Sequence, residues 1–162
     1  MVRVYCKSEQ ETEQTAAAFS AFIRCRDTVL LSGEMGTGKS VFTRALAKAM
    51  GIDGPVPSPT FTILLIHDGP KEKLYHFDLY RLENEDELYE MGLDEMIPPD
   101  DGIAVVEWPE ICASAMPEDA VRIRLEYAGE NPDERILFID LPDEQDSLAL
   151  KRRLADLGIE TE

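Results

Sequence analysis

The sequence predicts an α/β fold of three layers, with helices covering a mixed, partly antiparallel central sheet. Three observations carry this prediction. Short apolar runs mark strands at 28–31 and 103–106, helical spacing of apolar residues marks helices at 9–22 and 40–50, and two further strands at 121–127 and 135–141 follow one another across a polar turn. Strands alternating with helices call for a parallel or mixed sheet, and consecutive strands add antiparallel pairs to it. At 162 residues, with no internal repeat or long linker, the chain is of single-domain size, and a domain of this length buries roughly 70% of the surface its unfolded chain exposes.

The elements follow in order. Residues 2–5 alternate apolar and polar as a short strand does, and Ser8 stands where it would cap a helix over 9–22. The compact run 28–31 ends in SGEMGTGKS. After it Phe42, Ala45, Leu46 and Ala49 share one face of a helix over 40–50, and Gly51 stops it. Two glycines and three prolines make 51–59 an ordered loop. Strands at 62–67 and 74–79 flank Asp68-Gly69-Pro70, which predicts an antiparallel hairpin. A helix over 83–91 precedes the uninterrupted apolar strand 103–106, and an amphipathic helix over 147–157 ends at Gly158. Residues 1–143 form the body of the predicted domain, and 144–162 an acidic helical tail packed on it or extending from it.

Composition removes several function classes. The formal charge of −17, from 33 acidic against 16 basic residues, opposes a phosphate backbone, whose binding needs lysines and arginines to displace counterions. Independent nucleic-acid binding is therefore not expected; a basic protein surface suits the charge better. No apolar run approaches the ~18 residues of a membrane span, so the chain reads as cytoplasmic. Cys6, Cys25 and Cys112 are odd in number and contain no CxxC pair, which points to buried reduced thiols and away from disulfides or a zinc ribbon.

Gly33-Glu34-Met35-Gly36-Thr37-Gly38-Lys39-Ser40 fits GxxxxGKS without a gap, between a predicted strand and a predicted helix. Each residue type has a physical task. Glycines let the backbone wrap close to phosphate oxygens with its N–H groups turned inward, and the helix N-terminus adds its positive end. Lys39 brings a full charge to the β and γ phosphates, and Ser40 offers a hydroxyl to magnesium. Val41 replaces the second hydroxyl residue that often follows, leaving only its backbone N–H for contact. The context refines the fold class to a P-loop NTPase fold. A guanine-selecting NKxD is absent, which favours ATP.

Magnesium needs oxygen ligands, and two acids are placed to supply them. Glu107 follows the apolar strand 103–106 at the carboxyl edge where α/β sheets bind ligands. Asp78 ends LYHFD, where alternation sets His76, Asp78 and Tyr80 on one face. An acid directly after a fully apolar strand is costly unless partnered; an ordinary surface carboxylate is the other reading of Asp78. His76 is either a hydrogen-bonded structural histidine or a catalytic one. Ser58-Pro59-Thr60-Phe61 is either a switch segment carrying Thr60 toward the γ phosphate and metal or a proline-stiffened approach to the next strand. Trp108 covers the site, faces a partner or packs in the core.

Four segments in this order, GEMGTGKS, SPTF at 58–61, HFDLYR at 76–81 and VEW at 106–108, resemble the TsaE (YjeE) family, ATPases of tRNA threonylcarbamoyladenosine biosynthesis. The resemblance spans residues 2–141 and leaves out the acidic end. It implies that Lys39 and Ser40 bind phosphate and magnesium, that Asp78 and Glu107 complete the metal and water environment, and that Thr60 and Trp108 serve the site, with Arg81 steadying the switch region or structural. It also implies assembly with TsaB and TsaD, whose transferase a Mg-dependent ATPase would support. The expected catalytic residues are thus Lys39, Asp78 and Glu107, and the expected metal ligands Ser40, Asp78 and Glu107. Two other readings of the same loop are a small-molecule kinase, for which no arginine-rich lid is visible, and a non-catalytic nucleotide switch.

Overall fold

Eight strands form one sheet, and strand alternation divides its side chains between two cores. The computed structural model describes residues 1–162. In chain order the elements are β1 (Val2–Cys6), α1 (Glu9–Phe19), β2 (Thr28–Ser32), α2 (Lys39–Ala49), β3 (Leu64–His67), β4 (Lys73–Asp78), α3 (Glu85–Glu90), β5 (Gly102–Glu107), β6 (Val121–Tyr127), β7 (Arg135–Asp140), α4 (Glu144–Asp156) and β8 (Glu160–Thr161). The sheet order is β3-β4-β5-β2-β6-β7-β1-β8. Pairing is parallel among β4, β5, β2 and β6 and antiparallel on both flanks. The architecture is the expected three-layer α/β fold with a mixed sheet.

Val29, Leu31, Leu74, Ile103 and Val105 face a core shared with Phe19 of α1, Phe42 and Leu46 of α2, and Leu150 and Leu154 of α4. Leu30, Phe77, Ala104 and Val106 face the opposite core, closed by Leu88 of α3 and by Leu82, Ile97 and Cys112. The period of two has a direct consequence for the acids. Residues 74, 76 and 78 share one face, as do 103, 105 and 107, and both sets point to the side of the sheet that carries α2.

Helix starts are set by side-chain caps. Asp143 accepts a hydrogen bond from the Gln145 N–H at 2.7 Å, so α4 begins at Glu144, before the expected 147. Asn84 accepts from the Asp86 N–H at 3.0 Å, which starts α3 at Glu85 instead of 83. The predicted helix 9–22 is α-helical only to Phe19 and tightens to a 3-10 turn over Ser20–Phe22. The hairpin strands lie at Leu64–His67 and Lys73–Asp78, and β7 ends one residue early, at Asp140.

Two placements go beyond what the sequence states, and one feature departs from it. β1 does not join the parallel half: it pairs antiparallel with β7 and with β8 at the far edge. β8, two polar residues with no periodic pattern, is held by the backbone pairs of Arg3 with Glu162 and by buried Ile159. Cys25 is exposed, whereas Cys6 and Cys112 are buried; it stands in the turn where Arg26 takes a positive φ of 76° ahead of β2, outside both cores. No helix is long and apolar enough to cross a membrane.

Two predictions follow from this packing. A Cβ built on Gly102 would stand 2.2 Å from the Lys73 carbonyl oxygen of the adjoining strand, and backbone has little freedom to retreat. Gly102→Ala is therefore expected to lower unfolding stability by about 1–3 kcal/mol in urea titration; an unchanged midpoint would refute the close approach. His67, at the end of edge strand β3, has a buried Nε2 with no partner. Burial, and secondarily the neighbouring His76, push its imidazole below the ordinary value. The unfolded chain then takes up this proton first, so stability falls as pH drops from about 6.5 toward the lower folded value and levels off below it. Urea midpoints compared at about pH 7.5 and about pH 5.5 should show a smaller acid loss in His67→Gln than in wild type.

Candidate functional site

The phosphate-loop motif lies where the sequence places it, between β2 and α2 at the carboxyl edge of the parallel strands. Gly38 caps α2 with a φ of 105° and has no side chain to bond the first-turn N–H groups. Those donors, aligned with the positive end of the helix, are left for an anion. Gly33, at φ 145°, passes so near β6 that a Cβ would meet the Leu125 carbonyl oxygen at 2.5 Å. Glycine is required there by contact as well as by conformation.

Lys39 is 6% exposed, yet no carboxylate forms an ion pair with it. Its Nζ donates to the Gly33 carbonyl at 2.7 Å and the Glu34 carbonyl at 2.9 Å, and lies 4.3 Å from the centroid of the Trp108 ring. Burial holds its pKa below the usual lysine range, against the pull of Glu107, Glu110 and Asp78. This ammonium has the electrostatics of a group awaiting an anion.

The carboxylates of Asp78 and Glu107 close the same space from the sheet side. They are the last residues of β4 and β5, directly opposed in the parallel register, and are 5% and 3% exposed. No lysine or arginine bridges either of them. Glu107 Oε1 accepts from Ser40 Oγ at 3.5 Å, and its Oε2 accepts from His76 Nε2 at 2.7 Å. A carboxylate has no proton to give, so Nε2 of His76 carries the hydrogen and its buried Nδ1 remains without a partner. Asp78 Oδ2 accepts from Thr60 Oγ1 at 2.9 Å, Thr60 in turn shares a 2.8 Å bond with Ser58 Oγ, and Oδ1 takes the Tyr80 N–H at 3.0 Å. Two buried acids with hydroxyl, amide and imidazole partners but no lysine or arginine fit a divalent cation held by oxygen.

Lys39, Ser40, Ser58, Thr60, Asp78 and Glu107 line a cleft of about 450 Å³ together with Met35, Gly36, Gly38, Val41, Tyr80 and Trp108, and His76 stands outside the lining. Gly33, Glu34 and Thr37 belong to the motif but not to the cleft lining. The first two give carbonyls to Lys39, and Thr37 turns its hydroxyl to the Glu34 carbonyl at 2.8 Å. Trp108 is half-buried, lining the cleft and packing against the α3-side core; its φ of 58° swings the chain away from β5 immediately after Glu107. Tyr80, past the end of β4, packs its ring against it at a tilt of 48°, with centroids 4.9 Å apart. Arg81 points elsewhere, its guanidinium 4.9 Å from the centroid of the exposed Phe61 ring. Ser58 and Tyr80 are cleft residues that sequence reasoning did not select; Ser58 stands near Thr60, but only the folded loop shows that its hydroxyl is linked to Asp78 through that of Thr60.

Comparison with known proteins shows the family. The model of the family described as "Threonylcarbamoyl adenosine biosynthesis protein TsaE" matches residues 6–137. Proteins named tRNA threonylcarbamoyladenosine biosynthesis protein TsaE are similar over most of their length. That of Streptomyces coelicolor is 42% identical over 118 residues, 69% of this chain and 77% of the relative. That of Bacillus subtilis is 37% identical over 122 residues, 75% of each chain, and that of Rickettsia bellii 37% over 119 residues, 73% and 81%. A crystal structure of Bacillus subtilis YdiB superposes with a TM-score of 0.72 at 27% identity, covering 96% of this chain and 97% of the other. With its phosphate loop, its paired strand-end acids and its similarity to these relatives, the chain belongs to the TsaE family of tRNA threonylcarbamoyladenosine biosynthesis.

Proposed function

We propose that the chain is a Mg-dependent ATPase which, in the cytoplasm, supports a threonylcarbamoyl transferase formed with TsaB and TsaD. One observation carries the reading. A buried ammonium without an anion and two buried carboxylates without a lysine or arginine converge on one cleft at a helix N-terminus. Mg-ATP supplies both missing charges at once.

Ser40, Asp78 and Glu107 would hold the metal. Bound magnesium supplies charge neutralisation at the terminal phosphates as the γ phosphoryl group passes to water. Lys39 leaves the Gly33 and Glu34 carbonyls for phosphate oxygens, a move that its missing counter-ion favours. The N–H groups of Gly36, Gly38 and the first turn of α2 bind the remaining oxygens. Glu107 or Asp78 orients the attacking water, each held in place by a partner: His76 for the first, Thr60 for the second. No arginine lines the cleft, so intrinsic turnover is slow and a partner-borne cation accelerates it. The net charge of −17 suits a partner with a basic face and gives no support to direct tRNA binding.

The test is phosphate release from ATP by the purified chain, alone and with TsaB and TsaD. Partners are expected to raise turnover by roughly a thousandfold or more. Lys39→Ala and Glu107→Ala are each expected to lower it at least ~100-fold. Equal turnover with and without partners would remove the transferase-support reading, and full activity in both variants would remove the site assignment.

A further inference from the structure

The phosphate loop has two sides, and donors on its outer side come from residues that no motif marks. Its carbonyls are all satisfied from Gly33 to Gly38. Lys39 takes those of Gly33 and Glu34 from within the cleft. The next three are held from behind: Tyr127 Oη donates to the Met35 carbonyl at 3.1 Å, Arg135 Nη2 to Gly36 at 3.4 Å, and Arg135 Nε to Thr37 at 2.8 Å. The Phe42 N–H takes the Gly38 carbonyl at 2.9 Å, inside α2.

The two sets differ in what a ligand does to them. Lys39 must give up its carbonyls to meet phosphates. Tyr127 and Arg135 do not line the cleft, so their bonds persist when it fills. They are themselves rigidly placed, at the end of β6 and the start of β7, paired in antiparallel register. The guanidinium lies 4.5 Å from the centroid of the Tyr127 ring, and its Nη1 donates to the Glu134 carbonyl at 2.8 Å and to that of Pro132. Gly36 leaves room for this brace: a Cβ there would stand 2.8 Å from Tyr127 Oη.

In a planar trans peptide the carbonyl and the following N–H point to opposite sides. Tying the Met35 and Thr37 carbonyls outward thus aims the N–H groups of Gly36 and Gly38 at the cleft that both residues line. From this geometry we infer that Arg135 and Tyr127 are positioning residues for polyphosphate binding, fixing the loop's N–H groups in their binding orientation before ligand arrives. The inference rests on the nucleotide reading of the cleft given above and adds residues about a hundred positions away from the motif. Preorganised donors lower the ordering cost of binding and leave the chemical step to other groups.

Calorimetric titration of the full chain with Mg-ATP and with magnesium tripolyphosphate tests it, alongside steady-state hydrolysis and thermal unfolding. Tyr127→Phe keeps the ring under the guanidinium and removes one donor; it is expected to weaken both ligands by about 3- to 10-fold. Arg135→Lys keeps the charge but loses the planar fork that reaches two carbonyls, and is expected to weaken both by about 10-fold or more, with KM rising and kcat within about twofold of wild type. Wild-type affinity in both variants, even with a lowered unfolding midpoint, would reduce the pair to fold stabilisers and overturn the inference. So would a loss confined to ATP, which would place them at the base, or a fall in kcat matching that in affinity. Failure of wild type to bind either ligand would remove the nucleotide reading itself; a binding wild type with unaffected variants removes only the brace. Should Arg135→Lys fold poorly, Tyr127→Phe, which lacks a single hydroxyl, decides.

Discussion

An ammonium group buried at Lys39 with no carboxylate in contact obliges the surrounding chain to face it with neutral, electron-rich groups. Two loop carbonyls and an indole face do so, and each depends on backbone that few sequences can adopt. The carbonyls come from a glycine-rich bend pressed against β6, and the indole from a tryptophan in the left-handed region. Leaving a buried cation in neutral company is expensive relative to water. The arrangement is stable because the rest of the domain is a well-filled three-layer fold, and it is poised because any phosphate would relieve it.

The acids obey a second constraint, strand periodicity. Glu107 and Asp78 face α2 because residues 103 and 105 and residue 74 face it, filling the core beneath that helix. A one-residue slip of either strand would send its carboxylate to the α3 side and expose its apolar set. The same apolar residues that hold α2 on the sheet therefore aim the carboxylates at its N-terminus, and stability and site geometry cannot be varied independently here.

Legibility in the sequence followed the range of the interactions. The strand-loop-helix unit, the hairpin and the strand-end acids were readable because each is encoded within about ten residues by spacing, alternation and turn chemistry. The helix starts at Glu85 and Glu144 shifted by two or three residues because a cap is chosen by folded geometry, and several polar residues stood near each start. The far-edge place of β1, the two-residue β8 and the exposed Cys25 depend on which distant segments meet, and nothing local distinguishes them. Arg135 and Tyr127 are the clearest instance: an arginine at the start of one strand and a tyrosine at the end of another look like ordinary surface residues until the hairpin folds back on the loop.

Trp108 is the only tryptophan in the chain, and its ring lies against the ammonium of Lys39. A nearby cation perturbs the excited state of an indole, and drawing that cation away changes its emission. With excitation at the red edge, where the five tyrosines absorb little, the light emitted by this molecule comes from the mouth of the cleft alone. The protein thus carries a built-in optical reporter, readable without a label, of any change in the place of that lysine.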